Sequence, residues 1–210
     1  MTDGKANQYK KKSSVYFDGV ARRNRVIHEP AECYRFVTVK LAALKGGRLL
    51  DAGCGAGGML SEINRKFPGR FSLCGMDISK KSLEAARARC GSFAQLAYGD
   101  AEGMPYENDT FDGILCMHSF HHYPAPAAAL GEMHRVLRPG GRLILVDNDY
   151  PLPARLRWNL LFLLLDHPTG DIRFYSRNKL GKMAEQAGFS VVSACHIAHH
   201  SQYLECVKPA

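Results

Sequence analysis

Leu49-Leu50-Asp51-Ala52-Gly53-Cys54-Gly55-Ala56-Gly57-Gly58 is the stretch on which the reading of this chain turns. Arg48 to Asp51 is a short apolar run that suits a buried strand, and the glycines that follow allow the backbone to turn sharply. Met59, Leu60, Ile63 and Phe67 then recur on one helical face, and Pro68-Gly69 ends the pattern. A strand, a glycine turn and a helix in that order present free N–H groups at the helix start to a ligand lying against the main chain. Gly53, Gly55 and Gly58 also satisfy GxGxxG, so this segment by itself admits a dinucleotide site.

On either side the same alternation continues. Residues 31–44 carry Phe36, Val37, Val39, Leu41, Ala42 and Leu44 at helical spacing before Gly46-Gly47. Downstream, Phe71 to Met76 reads as a second strand ending at Asp77, and Ser79 can cap a helix bearing Leu83, Ala86 and Cys90. Gln95 to Tyr98 and Phe111 to Cys116 follow as strands, then a helix opened by Pro126 and stopped by Pro139-Gly140, then the wholly apolar strand Leu143 to Val146. Ser176 caps a helix with Leu180, Met183, Ala184 and Ala187, and Val191 to Cys195 and Tyr203 to Val207 are the last strands. The expected fold is α/β: a doubly wound, Rossmann-like, mainly parallel seven-stranded sheet with an antiparallel edge hairpin. In such sheets the ligand lies beyond the carboxyl ends of the strands, which singles out the loops after strands one, two and four and the region of Asp100. Asp77 stands 20 residues past Gly57, where a carboxylate can accept hydrogen bonds from a ribose diol.

With 210 residues the chain accommodates one domain with a small elaboration. The net charge of +8 is concentrated near the N-terminus in Lys5, Lys10, Lys11, Lys12, Arg22, Arg23 and Arg25. A solvated, partly disordered basic tail is the plainer reading; an anionic partner is the sharper one. Seven cysteines with no CxxC pair suggest reduced core thiols and a cytoplasmic setting. Residues 1–14 are polar, unlike a signal peptide, and the longest apolar run, Leu160 to Leu165, is far short of a membrane span.

Leu49 to Gly57 closely resembles the first motif of class I S-adenosylmethionine-dependent methyltransferases, with its acid before the glycines. Gly99-Asp100-Ala101-Glu102-Gly103-Met104-Pro105-Tyr106 resembles that family's adenine-binding segment, followed by Phe111-Asp112. Arg135 to Gly141 resembles the turn before strand five, and Ala187-Gly188-Phe189 the end of the late helix. Tyr16-Phe17-Asp18 to Ala21 faintly resembles the N-terminal lid of the ubiquinone/menaquinone-biosynthesis-like (methyltransferase type 11) branch. The resemblance is strong from residue 48 to 147. It implies a basic tail and lid over 1–30 and a methyltransferase domain over 31–210, with 150–175 inserted as a substrate lid.

By the same resemblance, Gly53, Cys54 and Gly55 lie along the methionine part of S-adenosyl-L-methionine, Asp51 organises the loop, Asp77 binds the ribose hydroxyls and Ile78 touches the adenine. Asp100 binds the adenine amino group beside Ala101, and Met117 and His118 lie near the sulfonium. Methyl transfer needs alignment and exclusion of water, and a general base only where the nucleophile must lose a proton. His118 and His122, just past strand four, are the candidate catalytic residues, since imidazole titrates near neutral pH. Tyr16, Arg155, Arg173 and Tyr175 are candidate substrate contacts, suiting a small acceptor that is apolar or aromatic with an anionic group. The 150–175 segment reads equally as a helix packed on the core or on a dimer mate, so monomer and homodimer both stand.

His118-x-x-His121-His122 and His196-x-x-His199-His200 share one spacing, but no nearby cysteine or carboxylate completes a recognisable metal site, and no metal is expected. An RNA or other nucleic-acid methyltransferase is favoured by charge alone: strand four is followed by no Asn-Pro-Pro-Tyr-like tetrad, and there is no Pro-Cys nucleophile. A nicotinamide-dependent oxidoreductase is disfavoured by the acid before the glycines. A non-catalytic binding module with the same pocket remains an alternative.

Overall fold

The computed structural model describes residues 3–22, 31–164, 169–197 and 200–210. Arg23, Arg25, Glu29-Pro30, Leu165, His167 and His199, which enter the sequence reading, lie outside the described residues. Seven strands form one sheet: β1 (Gly47–Ala52), β2 (Phe71–Asp77), β3 (Ala94–Tyr98), β4 (Phe111–Met117), β5 (Leu137–Asn148), β6 (Ser190–His196) and β7 (Ser201–Val207). The helices are α1 (Asp3–Arg22), α2 (Ala31–Ala42), α3 (Gly58–Lys66), α4 (Lys80–Cys90), α5 (Pro126–Val136), α6 (Leu152–Leu164) and α7 (Arg177–Gln186).

The strand order is β3-β2-β1-β4-β5-β7-β6. The first five strands are parallel, whereas β7 runs antiparallel between β5 and β6. The order reverses between β1 and β4, so the connections leaving their carboxyl ends run to opposite faces of the sheet and open a crevice between them. Side chains alternate across the sheet. Leu50, Ile114 and Leu145 face α5 and α7 through Leu130, Met133, Leu180 and Ala184. Leu49, Leu115 and Ile144 face α2, α3 and α4 through Leu41, Ile63 and Leu83. Each such fully buried side chain contributes about 1.5–3 kcal/mol, and together they make the sheet a rigid platform for the loops at its edge.

The local signals act as their chemistry requires. Ser79 accepts from the Ser82 amide at 3.0 Å and Ser176 from the Lys179 amide at 3.3 Å, each opening a helix. Gly57 adopts a left-handed conformation at the start of α3. Two elements differ from expectation. β5 begins at Leu137, ahead of the Pro139-Gly140-Gly141 turn, because Leu137 already pairs with Phe111 before a register shift. Residues 3–22 form a 20-residue helix, where a partly disordered tail is the plainer sequence reading. The helix docks on the domain through Lys10, Ser14, Phe17 and Asp18, and packing of this kind supplies most of a helix's stability in a folded protein.

Helix α6 comes from the 150–175 segment. Phe162 is its buried contact, while Leu152, Leu156, Leu160, Leu163 and Leu164 all stand more than half exposed. Six of the seven cysteines are buried, Cys195 being the half-buried one. Among the described residues no helix is long and apolar enough to cross a membrane.

Candidate functional site at the sheet switch point

A cavity with about 1180 Å³ of open space, part of it continuous with solvent, sits at the carboxyl ends of β1, β2 and β4. β1 delivers the glycine turn. Gly53 takes φ +82°, and its amide and that of Cys54 donate to the Met76 carbonyl at 2.8 and 3.0 Å, tying the turn to β2. A Cβ on Gly53 would stand 2.7 Å from Ser119 Cβ and 3.3 Å from the Tyr123 hydroxyl. Ser119 in turn donates to the Ala52 carbonyl at 3.2 Å. At Gly55, φ +52°, nothing lies within 4 Å of where a side chain would project. The cradle is thus braced from behind and open in front.

Asp77 ends β2 beside this turn. Its Oδ2 accepts the Gly55 amide at 2.8 Å and its Oδ1 the Ser79 amide at 2.7 Å. Each oxygen keeps lone-pair capacity for a diol. Burial pushes the Asp77 carboxyl up, opposed by those amides. Cys54 is buried, and burial with nearby carboxylates pushes its thiol well up, so it stays a thiol and does not act as a nucleophile. Ile78, Asp100, Ala101, Met117, His118 and His122 line the same cavity, as Gly53, Cys54, Gly55 and Asp77 do.

Asp51 lies behind the turn at 2% exposure, and burial with the Asp77 charge pushes its carboxyl up to about 7. A folded value above the unfolded value of 3.8 means ionisation favours the unfolded chain. Stability from this group is intact below about pH 4, falls as pH rises through about 7, and is then lower by roughly 4 kcal/mol. Asp51→Asn is therefore expected to stabilise the ligand-free protein more at pH 8 than at pH 5 in urea unfolding. An equal gain at both values would mean that Asp51 is not protonated in the folded state.

Helix α1 covers the mouth. Lys10 Nζ pairs with Asp100 at 2.7 Å and with Glu102 at 2.5 Å, and both carboxylates raise its pKa against the opposing effect of burial. Asp18 Oδ1 accepts from the Ser79 hydroxyl at 2.6 Å and the Lys81 amide at 3.1 Å, and the Ser14 hydroxyl donates to the Ile78 carbonyl at 3.2 Å. Phe17 lines the cavity and meets the His122 ring edge-on at 5.1 Å.

The loop after β4 carries the histidines. His118 takes φ +46°, unusual for a residue with a side chain, and its amide donates to the Val146 carbonyl at 2.7 Å. Its buried Nε2 has no hydrogen-bond partner among the described residues, and burial lowers its pKa, so the ring is neutral at pH 7. His121, which does not line the cavity, lies behind it. Burial opposes its charge, but Asp147 and Asp171 outweigh that and raise its pKa to about 10. Its Nδ1 is 2.5 Å from Asp147 Oδ1. His122 is pushed down to about 4, first by burial and then by the His121 charge.

The substrate candidates fall elsewhere. Tyr16 is absent from the cavity wall, its neighbour Phe17 taking that place. Arg155 lines a separate surface hollow and is held by the Tyr150 carbonyl at 3.0 Å and Asp149 at 3.4 Å. Arg173 is exposed outside the cavity wall. Tyr175 is 9% exposed, packed in the core against Phe120. None of these four side chains lines the cavity. Lys10, Phe17 and Asp18 are site residues that sequence reading misses as individuals. The Tyr16–Ala21 resemblance was the available signal for α1, while Lys10 reads as one charge in a basic run.

A family model described as a methyltransferase domain matches residues 25–194. The O-methyltransferase cnsE of Penicillium expansum is 29% identical over 170 residues, 78% of this chain and 59% of its own length, so the chain spans under two thirds of that relative. A demethylmenaquinone methyltransferase of Staphylococcus aureus is 26% identical over 215 aligned positions, covering 90% of this chain and 88% of its own. Among solved structures, a methyltransferase from Haloferax volcanii in complex with a methyltransferase activator has a TM-score of 0.78 at 20% identity, over 92% of this chain and 98% of its own. A SAM-dependent methyltransferase from Aquifex aeolicus has a TM-score of 0.69 at 18% identity, over 91% and 98%. At those identities the structural likeness speaks for the fold.

Proposed function

The chain belongs to the methyltransferase-domain family and is an S-adenosylmethionine-dependent methyltransferase; from that premise we propose that it methylates a small apolar or aromatic acceptor held under helix α1. The observation that carries this reading is the convergence on one cavity of the glycine turn, Asp77 and Asp100 with an apolar lid surface made of Phe17, Val20 and Ala21. The two relatives, an O-methyltransferase and a demethylmenaquinone methyltransferase by name, are small-molecule enzymes, which supports the same class of acceptor. The cations expected for an anionic group, Arg155 and Arg173, stand outside the cavity; those in its wall are Lys10, paired with Asp100 and Glu102, and Arg89, which donates to the Ala56 carbonyl.

The cofactor fits the residues present. The Gly53–Gly55 turn leaves room for its methionine part and Asp77 offers carboxylate oxygens to its ribose. When bound it supplies an electrophilic methyl group whose leaving sulfur needs no proton. The chain's own contribution is to orient and to exclude water. Asp77 and the turn fix the donor, Phe17 and the rest of α1 close over the acceptor, and His118 Nε2 takes the proton from an acceptor hydroxyl. His118 suits that role better than His122, because burial and the His121 charge push His122 down to about 4, which makes it a weak base near neutral pH, and its Nδ1 faces Asp171 at 3.2 Å. Exchange of ligands then requires α1 to lift, releasing Lys10 from Asp100 and Glu102.

Two measurements test this reading. Calorimetry should show saturable binding of S-adenosylmethionine and of its demethylated product; no heat with either would sink the proposal. A screen of phenolic and other apolar acceptors should yield demethylated cofactor, with His118→Ala lowering kcat by about 100-fold or more. Tight cofactor binding with no turnover on any acceptor would point instead to a binding module.

A further inference from the structure

We propose that His121, His122 and Asp171 form a site for one divalent transition-metal ion in the wall of the cofactor cavity. Each residue offers one donor atom, and the three atoms lie within 4.8 Å of one another. Asp171 Oδ1 is 3.4 Å from His121 Nε2 and 3.2 Å from His122 Nδ1. With metal–ligand bonds near 2.1 Å, neighbouring donors in a tetrahedral or octahedral shell stand roughly 3.0–3.4 Å apart. Two imidazoles and one carboxylate with further positions open are a donor set that divalent transition metals accept.

The surroundings prepare these donors individually. His121 Nδ1 is engaged by Asp147 at 2.5 Å, so Nε2 is its ligating nitrogen, the ion displacing to solvent the proton that Nε2 otherwise holds toward Asp171, in the carboxylate–histidine–metal arrangement. The Thr169 hydroxyl donates to Asp171 Oδ2 at 2.6 Å and turns Oδ1 toward the histidines. The Ile172 and Arg173 amides donate to the His121 carbonyl at 3.0 and 3.3 Å, fixing the Asp171 loop against the β4 loop. His122 Nδ1 is buried, on a side chain only 10% exposed, and faces Asp171 Oδ1 at 3.2 Å. A cation between the two would be held by a nitrogen lone pair and a carboxylate that already point at one place. His122 also lines the cavity, so the ion's open positions lie next to the acceptor's place. That last point, the ion as a holder for an acceptor oxygen, rests on the methyltransferase reading; the binding of the ion does not.

The test uses the full chain stripped of metal with a chelator and titrated with Zn²⁺, without S-adenosylmethionine. One equivalent should bind with micromolar affinity or better. Asp171→Asn and His122→Phe should each weaken it by at least about ten-fold, and Asp147→Asn by about ten-fold through His121. Co²⁺ should give ligand-field bands with no thiolate charge-transfer band. In a Zn²⁺-soaked crystal of the unaltered protein the anomalous peak should lie between the three donors, a readout that survives even if a variant fails to fold. Absence of saturable Zn²⁺ binding, undiminished binding by a folded Asp171→Asn protein, or a peak among the cysteines overturns the proposal. Binding of S-adenosylmethionine to the unaltered chain is measured separately; its absence would count against the enzyme reading and leave the metal result standing.

Discussion

Gly53→Ala is expected to abolish measurable S-adenosylmethionine binding and to lower Tm by about 5–15 °C. Two independent effects act at this residue. A side chain at φ +82° takes on the left-handed conformation, costing about 1–2 kcal/mol. The new Cβ would also sit 2.7 Å from Ser119, which is held by the Ala52 carbonyl and by Tyr123 at 3.0 Å and cannot swing aside freely. Overpacking of that kind costs about 1–3 kcal/mol, and for a chain of this size each 1 kcal/mol shifts Tm by about 2–4 °C. Relief by moving the turn would break the amide bonds of Gly53 and Cys54 to Met76 and displace the cradle. Calorimetry and a thermal melt measure both consequences; a variant that keeps native affinity would show that the turn does not carry the cofactor.

Asp77→Ala is expected to weaken S-adenosylmethionine binding by about 100-fold or more, because hydrogen bonds to a charged group are worth about 1.5–3 kcal/mol each and a diol makes two. It also leaves the Gly55 and Ser79 amides without their carboxylate partner, loosening the turn and the start of α4 together. Asp77→Glu separates the two effects. It keeps the charge but moves it by one methylene, so binding should fall by more than stability does. If the affinity of Asp77→Ala stays within a few-fold of the parent, the ribose lies elsewhere and the orientation of the cofactor has to be reversed.

Much of the architecture was readable one segment at a time because its signals are local. Apolar runs at β1, β2, β4 and β5, the caps Ser79 and Ser176, and the breakers Pro68-Gly69 and Pro139-Gly140 each act within a few residues of themselves. The residues expected around the cofactor line one cavity for the same reason: Gly53 to Gly55, Asp77, Asp100 and His118 lie at or just past strand ends, and the carboxyl ends of parallel strands share one edge of the sheet. The acceptor side was not readable in this way. Arg155, Arg173 and Tyr175 share the composition of a binding lid, but composition says nothing about which way a long insertion folds back, and here those three side chains fall outside the cavity wall.

Helix α1 marks the boundary between the two kinds of information. Its twenty residues look like a charged tail because their partners are remote in sequence: Lys10 finds Asp100 and Glu102, and Asp18 finds Ser79. The histidine cluster shows the same limit. His121 and His122 are adjacent in the chain, yet the carboxylates that complete the arrangement, Asp147 and Asp171, arrive from β5 and from the loop before α7. By itself the sequence determined the order of strands and helices and the glycine turn, since each depends on short-range periodicity and backbone freedom; the cofactor followed from the resemblance to class I methyltransferases, because the turn alone also admits a dinucleotide. Only the tertiary structure decided which charge covers the mouth, which imidazole is neutral and which carboxylates meet the histidines, because electrostatics and donor geometry act through space between residues that the chain holds far apart.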